Sequence, residues 1–470
     1  MKRRNFIKNA LVIGGVSTFT AYPSTAFWSQ PKSSQLYSKK IDTEDFLLSF
    51  WGTPHPTLKN YQEIVECGFN IATGSTSEPK FGQLQLELAE EVGIKFMLRD
   101  SRIYPNLPNE SNWQQVVQQV IDDYADYPAL YGYFIDDEPN SKQFTNLAKL
   151  VQEFRNRDPK SIGFINLFPN FASADQLGTS DYDEYVKKFV EIVKPPLISF
   201  DYYALLQPKN CVEQIKLIKE NQYNLPFRST DFSTSCNRLG YFPNLSTIRK
   251  YALESNTNFC SILLSTPHFN YRDPTPAEIR WQVYTSLAYG SRGIVYFTYF
   301  TYNESPERPT DNLGNAHNGI LDQYGYRTSK FTTVRNINLG LQKLIPYLVK
   351  LTSVNIYQVY RNEQLSQYGI PVFPSTGGGM ITQVIGGEFL LAEFIDPDLN
   401  GWLMIVNLDY QNSANAAIIL RNTEASQVRY VSRTTGELTE FSKESSQGNT
   451  LYVWLAPGDG KLLRSLPKES

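Results

Sequence analysis

A chain of 470 residues is too long for one ordinary small core, so two or three domains are expected unless a barrel takes a large share. Lys and Arg number 44 against 47 Asp and Glu, for a formal net charge of -3. The two signs are interspersed, which excludes a basic stripe for nucleic acid and an acidic tail. The 30 tyrosines and 28 phenylalanines will mostly pack in cores, but a flat apolar face with a polar tip also suits stacking on sugar rings.

The N-terminus reads MKRRNFIKNALVIGGVSTFTAYPSTA. Arg3 and Arg4 precede a modest apolar run, and Ser24-Thr25-Ala26 offers small residues for cleavage. Residues 1–26 therefore resemble a twin-arginine export signal, with an ordinary secretory signal or a retained anchor as the alternatives. A linker over 27–45 follows. No later segment holds the roughly 18 apolar residues of a membrane span, so a periplasmic or secreted protein without an integral span is expected after signal removal.

From Phe46 short apolar runs alternate with amphipathic stretches, as in parallel strands covered by helices. The runs are 46–51, 69–75, 94–100, 129–137, 161–168, 197–203, 225–235, 259–269 and 292–300, with Gly68, Gly93, Pro128, Pro159 and Pro195 at helix ends. That is one run more than a (β/α)8 barrel needs. The run at 225–235 is the most polar of the last three, so 204–243 is read as an insertion after strand six, with strands seven and eight at 259–269 and 292–300. Beyond 353 alternating strands with turns at DPDLNG, TTGE and APGDG predict a small antiparallel β-sandwich. The expected organisation is a barrel over 46–352 and a sandwich over 353–470.

The four cysteines, Cys67, Cys211, Cys236 and Cys260, fit no zinc spacing. Cys211 and Cys236 could pair locally, or all could be free buried thiols. Three histidines, His55, His268 and His317, argue against a His-rich metal site. No metal or other cofactor is expected.

Barrel active sites form at the C-terminal ends of the strands. Those ends supply Trp51 and His55; Arg99, Asp100 and Arg102; Asp136, Asp137 and Glu138; Asn166 and Asn170; Asp201, Tyr202 and Tyr203; His268; and Tyr299, Tyr302 and Glu304. Carboxylates, amides and aromatics suit glycosidic cleavage, in which one carboxylic acid protonates the leaving oxygen and a second carboxylate attacks or activates water. Crowding by neighbouring acids would raise at least one pKa and keep Glu138 protonated as general acid. Regular alternation would put Asp136 and Glu138 on one side of the strand and Asp137 on the other. In the structural alternative Asp136 and Asp137 pair with Arg99 and Arg102, and only Glu138 faces substrate. Trp51, Tyr202 and Tyr203 are read as sugar platforms, while Tyr131, Tyr133 and Phe134 are read as core. His268 is a candidate for a sugar hydroxyl or for a structural hydrogen bond.

The strand-four ending GYFIDDEP resembles the Asn-Glu-Pro ending of strand four in clan A glycoside hydrolases. PTPAEIRWQVYTSLAYGSRGIVYFTY over 274–299 is similar to the last helix and strand of the β-galactosidase-like members, and NGILDQYGYRTSKFTTVRNIN and LYVWLAPGDGKLL fit as well. The resemblance implies a (β/α)8 barrel acting on carbohydrate, with Glu138 as acid/base and Asp137 where the clan usually has asparagine. It departs at strand seven, where SILLSTPHFN lacks the clan's nucleophilic glutamate. Asp201, Asp231 and Asp100, then Glu304, are the replacement candidates, and Asp201 could instead be a salt bridge or a helix cap. A non-catalytic carbohydrate-binding barrel and a polysaccharide lyase acting through a Tyr or His base are the alternative functions.

Overall fold

The computed structural model describes residues 46–207, 240–301, 317–359, 372–374 and 377–465. The export signal, the linker, Asp231, Glu304, Tyr302, Cys211, Cys236 and the polar run at 225–235 lie outside the described residues. The first eight strands are β1 (Leu47–Phe50), β2 (Ile71–Thr76), β3 (Lys95–Asp100), β4 (Leu130–Asp137), β5 (Ile162–Leu167), β6 (Leu197–Asp201), β7 (Asn258–Leu264) and β8 (Gly293–Phe297). All their pairings are parallel, in the order β1-β8-β7-β6-β5-β4-β3-β2, so the eight-stranded sheet forms with strands seven and eight where the sequence puts them. The β1–β2 seam is bridged by side chains: the Asn70 amide accepts from the Leu48 N–H at 2.8 Å and donates to the Phe46 carbonyl at 2.7 Å. Thr73 donates to the Phe50 carbonyl.

Helices α1 (Leu58–Glu66), α2 (Pro79–Val92), α3 (Trp113–Tyr124), α4 (Phe144–Arg157), α5 (Ala174–Leu177), α6 (Tyr182–Lys188), α7 (Tyr241–Glu254), α8 (Pro276–Ala288) and α9 (Ser329–Leu348) cover the sheet. Their ends follow local chemistry. Thr57 caps α1, Gly93 ends α2 in a left-handed conformation at φ 78°, and Thr275 with Glu278 forms a capping box ahead of Pro276. Strand alternation splits the side chains in two. Leu47, Ile71, Met97, Tyr131, Phe134, Phe164, Leu197 and Cys260 fill the barrel interior, while Leu48, Phe96, Tyr133, Ile165 and Phe200 belong to the larger core under the helices.

Two antiparallel sheets follow. The six-stranded sheet contains β9 (Thr352–Val359), β11 (Phe389–Ile395), β12 (Gly401–Asn407), β14 (Val428–Val431), β15 (Leu438–Glu440) and β18 (Gly460–Ser465). The four-stranded sheet contains β10 (Ile381–Ile385), β13 (Ala414–Leu420), β16 (Ser446–Gln447) and β17 (Thr450–Leu455). Strands β11 and β12 read FLLAEFI and GWLMIVN, nearly continuous apolar runs, because both faces of their sheet are covered. Leu390, Ala392, Met404 and Val406 join the barrel's helix-side core, and Leu391, Leu403 and Ile405 pack against Ile418, Leu451 and Val453 of the outer sheet. Polar contacts fix the junction: Arg433 holds Asp459 through two bonds at 2.6 and 2.8 Å and donates to the Tyr284 hydroxyl on α8. No helix among the described residues is long and apolar enough to cross a membrane.

Candidate active site

The barrel mouth between β4, β5 and β6 is organised around Asn166, which is 1 % exposed. Its Nδ2 donates to Asp137 Oδ1 and to Asp201 Oδ1, each at 3.1 Å, and its Oδ1 accepts from the Ser199 hydroxyl at 3.0 Å. An amide nitrogen carries two hydrogens, so each carboxylate receives one. Exchanging the amide's nitrogen and oxygen would aim Oδ1 at two carboxylate oxygens, so the network fixes the orientation. Ser199 and Asp201 lie two residues apart on β6 and share its inner face; Ser199 and Asp201 are both buried.

A bulge decides which strand-four acid takes part. Phe134 pairs with Phe164, but the next partner of β5 is reached by Asp136, so Ile135 is skipped and Asp137 pairs with Asn166. With Phe134 in the barrel interior, a regular strand would place Asp136 and Glu138 inward. The extra residue reverses the alternation and brings Asp137 to the inner face, correcting the sequence expectation.

Glu138 follows at φ 54°, in the left-handed region that is costly for a residue with a side chain. Its N–H still extends the ladder by donating to the Asn166 carbonyl at 2.8 Å, so the bend comes directly after the strand. Its side chain is half-exposed. Behind this bend Tyr185 of α6 donates to the Pro139 carbonyl at 2.7 Å. Burial raises the Tyr185 phenol well above its usual value, and the charges of Glu138 and Asp136 add to the rise.

The Asp136 carboxyl is raised. Burial lifts it to about 6, against the pull of the Asp137 N–H and the Arg99 charge, and the Asp137 carboxylate adds to the rise. Three consecutive acids are tolerated here in part because one of them is neutral below that pH.

Arg99 lies with its guanidinium carbon 4.8 Å from the Phe134 ring centroid, and Trp51 meets the same ring edge-on at 5.2 Å. The three line the interior face beneath the acids. His55 is exposed on the loop between β1 and α1, where its carbonyl accepts from Asn60.

Several candidates sit elsewhere. Asp100 follows Arg99 on β3 and so faces the helices; it accepts from Arg102 at 2.8 and 2.9 Å and from the Tyr124 hydroxyl at 2.7 Å. Burial alone would raise its carboxyl, but those bonds hold it below the usual range. Arg102 is engaged by Asp100 and Asp123, so the expected pairing of Asp136 or Asp137 with Arg102 does not occur. Tyr299, a strand-end candidate, is fully buried outside the barrel against Phe50 and Phe69. Tyr202 packs with Phe171 and Tyr241. Tyr203 and His268 pack on each other and on Tyr271 and Phe297. All three are at most 6 % exposed, and His268 Nδ1 lies 2.8 Å from the Thr266 carbonyl, the structural hydrogen bond that was one of its two expected roles. Sequence reasoning counted Asn166 among the strand ends without giving it a role, and it passed over Ser199; the two-residue spacing from Asp201 was the available signal.

On β7 the inner face is apolar. Asp201 pairs with Ile262, flanked on the same face by Cys260 and Leu264, so no acid enters the mouth from that strand. Among the described residues no group of three or more His, Cys, Asp or Glu side chains is placed to hold a metal.

No family model matches the chain, and no curated protein matches it. Solved structures do. A catalytic mutant of Gan42B, a GH42 β-galactosidase from G. stearothermophilus, aligns with TM-score 0.54 at 9 % identity, over 89 % of this chain and 98 % of that one. The likeness is one of fold. A second structure, named only as a glycoside hydrolase, aligns with TM-score 0.50 at 9 % identity over 90 % of this chain and 93 % of its own. The β-galactosidase from Marinomonas ef1 aligns at TM-score 0.47 and 11 % identity over 66 % of this chain, which spans 62 % of that protein's length. The barrel followed by a β-sandwich is thus an architecture shared with glycoside hydrolases.

Proposed function

We propose that this protein is an exported glycoside hydrolase that cleaves an O-glycosidic bond of a poly- or oligosaccharide through carboxylate catalysis. The observation that carries the reading is the single amide of Asn166 presenting one hydrogen each to Asp137 and Asp201. Their bonded oxygens each lie 3.1 Å from one nitrogen and so are no more than about 6 Å apart. Asp201 is the partner acid, as nucleophile or as the base that activates water. Glu138, half-exposed beside the pair, donates the proton to the leaving oxygen. Asp137 stabilises the positive charge that develops on the sugar ring. Arg99 and Trp51 position the substrate, the latter by stacking. Two solved structures that share the fold, at TM-scores 0.54 and 0.50, are named as glycoside hydrolases, which supports the substrate class.

A panel of nitrophenyl glycosides and soluble polysaccharides, read by nitrophenol and reducing-end release, tests the proposal. Glu138→Gln and Asp201→Asn should each lower kcat by about 10²–10⁴-fold on whichever substrate the wild type cleaves. Turnover by Asp201→Asn at the wild-type rate would overturn the assignment. The apolar inner face of β7 favours one other reading, a barrel that binds sugar without cleaving it; binding with no reducing ends released at any pH would select it.

A further inference from the structure

The outermost layer of the molecule has a binding surface of its own. The four-stranded sheet buries one face against the six-stranded sheet and leaves the other to solvent. On that outer face, Tyr452 and Trp454 stand two residues apart on β17, so their rings point the same way about 7 Å apart along the strand. Trp454 is 60 % exposed, far more than a large indole retains when it serves only packing. Its ladder partner is Asn415, and Tyr452 pairs with Ala417, whose small side chain keeps the floor low beside the rings. Glu444, Ser445 and Gln447 close the other side, giving an open trough of about 480 Å³.

We propose that this trough is a second carbohydrate-binding site, which takes a neutral glycan chain by stacking sugar rings on Trp454 and Tyr452 and bonding their hydroxyls to Asn415, Gln447 and Glu444. Stacking uses the apolar C–H face of a pyranose, and the amides offer paired donors and acceptors to its rim. Glu444 is held anionic by its own backbone N–H and the Ser442 hydroxyl, which suits hydroxyl donors and disfavours uronates. Two rings offer at most about 500 Å², below the ~800 Å² per partner of a stable protein interface, which argues for a small flat ligand over a protein. The inference does not depend on catalysis at the barrel mouth.

The full chain, run on native gels containing galactomannan, xyloglucan, arabinogalactan or polygalacturonate, tests it. At least one neutral polysaccharide should retard the wild type, and Trp454→Ala should weaken that retardation about tenfold or more. Trp454→Phe should keep part of it, and polygalacturonate should have no effect. Retardation by none of the neutral glycans, or equal retardation of wild type and Trp454→Ala, would overturn the proposal. So would a dimer on size exclusion that Trp454→Ala dissolves, since the face would then belong to a second copy.

Discussion

Replacing Asn166 with leucine keeps the branching and heavy-atom count of the side chain and deletes three hydrogen bonds. Two end on carboxylates and one comes from the Ser199 hydroxyl. Buried bonds to charged groups contribute about 1.5–3 kcal/mol and neutral ones about 1 kcal/mol. The half-exposed Asp137 can recover its share from water, whereas Asp201, at 5 % exposure, cannot be rehydrated in place. Apolar burial of the leucine returns about 1 kcal/mol, which leaves a net loss of about 1.5–3 kcal/mol. Urea unfolding followed by tryptophan fluorescence measures it as a shift in midpoint at unchanged slope. Combining the change with Asp201→Asn isolates the contact, and the pair should be non-additive by about 1 kcal/mol or more. Strict additivity, or a loss under about 0.5 kcal/mol, would refute the view that this amide holds the two acids together.

Two further outcomes follow from the same corner of the barrel. Asp136 titrates near 6 instead of 3.8, so between those values the native state binds more protons than the unfolded chain and stability falls as pH rises. Asp136→Asn should therefore stabilise the protein at pH 7.5 by about 2–3 kcal/mol and leave it little changed at pH 3.5, as compared by urea midpoints at both values. Glu138 lies at φ 54°, where glycine is unstrained, so Glu138→Gly should be about 1 kcal/mol more stable than Glu138→Ala in thermal melts, while both lose turnover. Alanine equal to glycine would remove the strain argument.

Strands β2 to β6 were readable because each is an apolar run preceded by a glycine or proline that ends the helix before it, as Gly93 does before β3. The choice of strands seven and eight also followed from the residues, since the polar character of 225–235 set that run apart from FCSILLSTPHF. What could not be read was the face each strand end presents. Arg99 and Asp100 are neighbours in sequence, yet one lies in the interior and the other pairs with Arg102 under the helices. The reversal at β4 depends on one skipped residue, Ile135, whose position is set by the register against β5 and leaves no mark in the local pattern of YGYFIDDEP. The burial of Tyr202 and Tyr203 was illegible for a related reason: an inventory of strand ends does not say which aromatics will bury one another. Asn166 needed knowledge of both neighbours, and only the folded sheet brings Asp137 and Asp201 to its two sides.

The six-stranded sheet is sandwiched on both sides, with barrel helices beneath it and the outer sheet above. Neither half of this molecule owns its hydrophobic surface outright. A chain cut after Leu351 would leave α8 and α9 with their apolar flank bare and Tyr284 without Arg433, so the two modules that the sequence divides should melt together rather than apart.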